Sequence, residues 1–226
     1  MNTRKYLSLA LSLVLSLSGA YAQDIGTTAN VFSHITLAGA DELAKTLSDP
    51  RVRIEDKREA VYRLGVLAKE LYNNRQVPPS KLFNPILGVL TIQRDVPDHH
   101  ILRLEACGAL SQFVGLAESE KLIEPLGRVV QNREEHEEVR LSAARALGRF
   151  YKDSGLATDQ LVVALNKELE AGPSSENVSV ATAIIISIGA LHDKRAFVPL
   201  MRVIQSRFPT YTKREAQRSL ENIQWE

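Results

Sequence analysis

The chain has little to build a chemical centre from. Cysteine occurs once in 226 residues, as Cys107, so no internal disulfide can hold the fold together. Neither charge sign dominates: 28 Lys and Arg stand against 27 Asp and Glu, a balance that gives nucleic acid no electrostatic footing as the default partner. No Gly-x-Ser-x-Gly elbow, phosphate-binding Gly-rich loop or His-Glu-x-x-His pair is present, and no strand-like alternation runs through the sequence. After residue 17 there is no long apolar run, so nothing beyond it reads as an integral membrane span.

What is there begins with a three-part leader. Arg4 and Lys5 precede an apolar stretch from Leu7 to Leu17, which ends at the small-x-small triplet Ala20-Tyr21-Ala22. This pattern predicts a secretory signal peptide over 1–22, cleaved to leave 23–226 with a net charge of −1. The predicted location is therefore an exported one, periplasmic in a bacterium or secreted as the alternative. No cysteine stands directly after the apolar run, which argues against a lipid-anchored lipoprotein.

The strongest signal is repetition. Lys57-Arg-Glu-Ala-Val-Tyr-Arg-Leu-Gly65 returns as Arg103-Leu-Glu-Ala-Cys-Gly-Ala-Leu110 and Arg140-Leu-Ser-Ala-Ala-Arg-Ala-Leu-Gly148. Looser copies end at Gly189 and Leu220. The aligned anchors Ala60, Ala106, Ala143, Ile184 and Ala216 are 46, 37, 41 and 32 residues apart. Around them the apolar residues keep helical spacing: Ala60, Leu64, Leu67, Ala68 and Leu71; then Leu102, Ala106, Ala109, Leu110 and Phe113; then Val139, Ala143, Ala146, Leu147 and Phe150. A second set of apolar segments carries Pro85, Pro125, Ala164 and Pro199 at one register, 40, 39 and 35 residues apart. An interior proline costs a helix about 3 kcal/mol, so three at one register predict a bend shared by the second helices. Ser80, Ser119, Thr158 and Asp193 are the expected N-caps of those helices.

The Asp49-Pro50 turn, the Arg-x-x-Ala-x-x-x-Leu-Gly first helices and the Leu-x-x-Pro-Leu second helices resemble the HEAT-repeat family, in particular short bacterial HEAT-like units. The resemblance spans about residues 40–223. It implies an all-α fold, a right-handed solenoid of about four to five two-helix repeats. The expected order is a leading partial repeat over 30–50, full repeats over 51–95, 98–133, 135–172 and 175–207, and a capping helix over 210–225, with Leu220, Ile223 and Trp225 closing the stack. It also implies a non-catalytic scaffold or adaptor that binds a protein partner along the concave face formed by second helices. Export makes an envelope or surface-appendage assembly the class of partner to expect. Because a subset of the family is associated with bilin-lyase proteins, the alternative is an enzyme accessory or lyase-type protein binding a tetrapyrrole or other small ligand.

Three residues beyond the proline register stand Arg128, Lys167 and Arg202, and one turn later Gln131, Glu170 and Gln205. These six residues are the expected partner-binding row, suited to an acidic segment. Two further groups invite a metal reading: Asp95, Asp98, His99 and His100, and the run Glu134, Glu135, His136, Glu137 and Glu138. Helix capping and dipole compensation explain each of these groups taken alone. His34 and His192 have no partner at a telling spacing, and Cys107 falls on a core stripe. The expectation is accordingly no enzyme, no metal and no cofactor. Charge is uneven along the chain, with seven Glu against three basic residues over 118–138 and the reverse, seven basic against three Glu, over 194–226.

Overall fold

The computed structural model describes residues 37–71, 77–91 and 98–225. The signal peptide expected over 1–22 lies outside them, as do His34 and Asp95. The chain divides into two compact units, 1–39 and 40–226. Of the first, only a 3-10 turn at Leu37–Gly39 is described. In the second, every regular element among the described residues is helical, and no helix there is long and apolar enough to cross a membrane.

Among the described residues ten α-helices follow in order: α1 (Ala40–Ser48), α2 (Ile54–Leu71), α3 (Ser80–Val89), α4 (His99–Leu110), α5 (Ile123–Gln131), α6 (Glu137–Leu147), α7 (Ser154–Ala171), α8 (Ser175–Leu191), α9 (Phe197–Gln205) and α10 (Thr210–Glu221). The main packing partners alternate. Helices α2, α4, α6, α8 and α10 each lie against the next in that series, and α5, α7 and α9 do the same. The two rows are joined most extensively by α1 with α2, α3 with α4, α5 with α6, α7 with α8, and α9 with α10.

The sequence pattern explains the rows. All fifteen residues of the three apolar stripes are buried, from Ala60 through Phe150. Where axes must come close, the side chain is small. A Cβ added to Gly65 would stand 3.0 Å from Ala109 Cβ, and one added to Gly148 would stand 2.8 Å from Ser187 Cβ. Hydroxyl groups cross the same seams. Ser142 Oγ donates to the Leu104 carbonyl at 3.0 Å, and Ser219 Oγ donates to the Ile185 carbonyl at 3.0 Å. Thr182 and Thr212 share a hydrogen bond at 3.1 Å.

The prolines act differently from the shared bend expected of them. Pro85 is inside α3, but Pro125 and Pro199 are third residues of α5 and α9. An N–H in the first turn has no intrahelical partner, so those two prolines forfeit nothing. A 3-10 turn precedes each of them, at Ser119–Leu122 and Lys194–Ala196. Ala164 stands where the proline is missing, and there α7 continues unbroken for 18 residues, against 9 in α5 and in α9.

That continuity overturns one expected cap. Thr158 is a fully buried interior residue of α7, because the helix begins at Ser154. Ser80 and Ser119 are first residues of their helical segments and accept no capping bond. Asp98 occupies the N-cap of α4 in a left-handed conformation, also without a side-chain cap. Asp193 does cap, accepting from the Arg195 N–H at 2.9 Å. At the far end Ile223 is buried, but Trp225 is 62% exposed and sits edge-on to Phe197 at 5.3 Å. Of the three residues expected to close this end, Ile223 is buried and Leu220 half-buried, whereas Trp225 lies open. His192, which ends α8 in a left-handed conformation, holds the tail through its own carbonyl to Gln224 N–H at 3.0 Å and its Nδ1 to the Asn222 carbonyl at 2.8 Å.

Candidate functional site

Helices α5, α7 and α9 turn their Ile123, Leu126, Leu161, Leu165, Leu200 and Val203 faces inward. The opposite faces carry the six residues of the expected partner-binding row. Arg128, Lys167, Glu170, Arg202 and Gln205 are exposed, and Gln131 is half-buried. Lateral hydrogen bonds tie this surface together. Gln131 Nε2 donates to Gln160 Oε1 at 2.8 Å, Lys167 Nζ donates to Gln131 Oε1 at 3.4 Å, and Arg202 Nη1 donates to Asn166 Oδ1 at 3.2 Å.

Two shallow grooves lie on this surface. One, of about 650 Å³, runs past Gln131, Arg133, Glu134, Lys167 and Glu170. The other, of about 220 Å³, is lined by Asn166, Leu169, Glu170 and Arg202. Glu170 belongs to both, so a carboxylate sits between Lys167 and Arg202 and the row is mixed in sign. Arg128 and Gln205 line neither groove. Arg128 pairs with Glu124 at 3.3 Å in a solvated contact, which is worth little energetically.

A larger groove, of about 710 Å³, lies between α2 and α4 and was not suggested by the motifs. Tyr62, Val66, Lys69 and Gln112 help to line it, and Arg58 spans it to Glu105 at 2.6 and 2.9 Å. The Glu105 carboxylate accepting from Arg58 raises the guanidinium further above its ordinary value.

Cys107 is sealed in the core on α4. Burial, reinforced by the nearby Glu135 carboxylate, pushes its thiol up from an ordinary 9.0 to about 12. The thiolate needed of a nucleophile is therefore suppressed.

The two histidine-bearing groups, separate in the sequence, meet in space. His100 in the first turn of α4 stacks on His136, the N-cap of α6, with ring centroids 4.3 Å apart and planes 21° from parallel. One donor atom from each of His100, His136 and Glu138 falls within 4.8 Å of the others. His136 Nδ1 also accepts from the Glu138 N–H, at a long 3.4 Å. The sequence did hold a signal for this meeting. Ala106 and Ala143 are one repeat apart, 37 residues, and His136 is the equivalent of His99 at that spacing.

The repeated Arg also proves to have a role that motif matching did not reveal. Arg103 and Arg140 occupy the same repeat position, and both are buried against carboxylates of later segments, Glu135 and Glu168. Compared with known proteins, the chain matches no family model and no curated protein sequence.

Proposed function

We propose that this chain is a right-handed HEAT-like α-solenoid acting as a non-catalytic scaffold or adaptor in the periplasm or cell envelope. The observation that carries the reading is the pair of helix rows, in which each helix packs chiefly on its neighbours and α5, α7 and α9 present one polar face. Nearest-neighbour stacking of two-helix units is how solenoids build extended recognition surfaces. On this reading the face of α5, α7 and α9 is the concave side, and the grooves between successive helices receive an extended segment of a protein partner. Lys167 and Arg202 would attract acidic side chains, while Gln131 offers its amide to main-chain groups. Arg128 would join them by exchanging Glu124 for the partner.

The test is crosslinked pull-down from the native envelope fraction, comparing the natural chain with R128E/K167E/R202E. All three positions are exposed, so the triple variant should fold. A stoichiometric protein recovered by the natural chain and lost by the variant supports the proposal. Equal recovery by both overturns the assignment of this face.

A second reading, a small-ligand accessory of lyase type, has one observation in its favour: the 710 Å³ groove between α2 and α4 falls within the size range of small-molecule sites. Titration with a soluble tetrapyrrole followed by absorbance distinguishes it. Saturable binding abolished by Y62A would support this reading, and no spectral change would remove it.

A further inference from the structure

We propose that His100, His136 and Glu138 bind one divalent transition-metal ion of the zinc, nickel or copper(II) class, bridging α4 and α6. The inference stands independently of what the polar face recognises. Two imidazoles and one carboxylate form a borderline-soft donor set that favours these ions over magnesium or calcium, which prefer all-oxygen sites.

The geometry needs little change. A tetrahedral zinc ion holds nitrogen and oxygen donors at about 2.0–2.2 Å, which puts the donors about 3.4 Å from one another. The three donor atoms already lie within 4.8 Å of each other. The remaining closure falls on side chains able to make it, since His136 and Glu138 are exposed and His100 is half-buried. The two backbones are held by the packing of α4 on α6, in which Ser142 Oγ reaches the Leu104 carbonyl. The capping contact from Glu138 N–H to His136 Nδ1 is long enough that exchanging it for a metal bond forfeits little.

Electrostatics both opposes and helps the ion. The positive ends of α4 and α6 point at the site and disfavour a cation. Glu137 and Glu138 in the first turn of α6 offset that field, and Glu138 is itself a ligand. Three protein ligands leave coordination positions for water or for a donor from another molecule. An ion held there would join two helices that are successive members of one row.

The full chain, stripped with EDTA, should bind one zinc ion by calorimetry, and its Tm should climb with zinc concentration but not with magnesium. Cobalt(II) should give the visible absorption of a histidine-ligated ion. His136→Asn keeps a good N-cap residue while deleting a ligand. Second-shell changes alone cost metal sites about 10–100-fold in affinity, so H136N and H100Q should each lose at least that much. H99Q and H192Q should bind as the natural chain does. Matching circular dichroism of the metal-free proteins would show that the variants are folded. Undetectable zinc binding, or binding and cobalt absorption unchanged in H136N, overturns the proposal.

Discussion

Arg103 and Glu135 meet across the seam between α4 and the entry to α6 with two hydrogen bonds, at 2.8 and 3.0 Å, and their side chains are only 2% and 1% exposed. Both charges have left water, so the pair is less a source of stability than a constraint: neither partner can be lost alone. Truncating one member of such a pair typically costs about 3–5 kcal/mol, whereas replacing both by apolar groups is often neutral. We therefore expect R103A to lower the urea midpoint sharply and R103M/E135L to recover most of the loss. If the double variant is as unstable as the single one, the cost lies in packing and not in the orphaned charge.

Cys107 sets a limit at alkaline pH. In the unfolded chain its thiol ionises near its ordinary 9.0, while in the fold it holds its proton until about 12. Between those values the unfolded state binds fewer protons, so stability falls as pH rises, by at most about 1.4 kcal/mol per pH unit from this group. Below pH 9 the effect vanishes. Melting curves at pH 7 and pH 10.5 should show a larger drop in Tm for the natural chain than for C107A. Equal drops would mean that the thiol is not the group responsible.

Two glycines should respond oppositely to alanine. At Gly148 the new Cβ would stand 2.8 Å from Ser187 Cβ and 2.9 Å from its Cα, so α6 and α8 must separate. Overpacking of this kind costs about 1–3 kcal/mol. At Gly88, inside α3, no atom of the described residues lies within 4 Å, and alanine should stabilise the helix by about 0.5–1 kcal/mol. Urea denaturation of G148A and G88A reads both signs.

Thr158 buries a hydroxyl that has no hydrogen-bond partner among the described residues. Valine has nearly the same shape without the polar atom. Since an unsatisfied buried polar group costs about 1–3 kcal/mol, T158V should raise the thermal midpoint. A lower midpoint would indicate that the hydroxyl has a partner after all, such as an ordered water.

The helical rows were legible in the sequence because burial imposes a period. Ala143, Ala146 and Leu147 must share a face whatever else they do, and residues one repeat apart become neighbours. The roles inside the pattern were less legible. Arg103 and Arg140 marked the repeat but gave no hint of burial, since their carboxylate partners lie 32 and 28 residues away in different kinds of segment. Thr158 had the chemistry of a cap, yet the missing proline at Ala164 let α7 run through a boundary that its counterparts keep. His100 and His136 were each explained locally, and only their meeting made them worth joining. For Lys167 and Glu170 the pattern gave the outward direction, while the carboxylate's place between Lys167 and Arg202 came from the packing of α7 against α9.

The seams of this chain differ in what it takes to part them. In the middle, α6 packs against α4, α5 and α8, and its Arg140 is tied both to Glu168 and, at 3.0 Å, to the Val130 carbonyl. At the far end, α10 packs chiefly on α8 and α9, and the hydroxyls of Thr182, Thr212 and Ser219 make its cross-links to α8. The molecule should thus come apart from its C-terminal end inward, and amide hydrogen exchange should reach α10 well before α6.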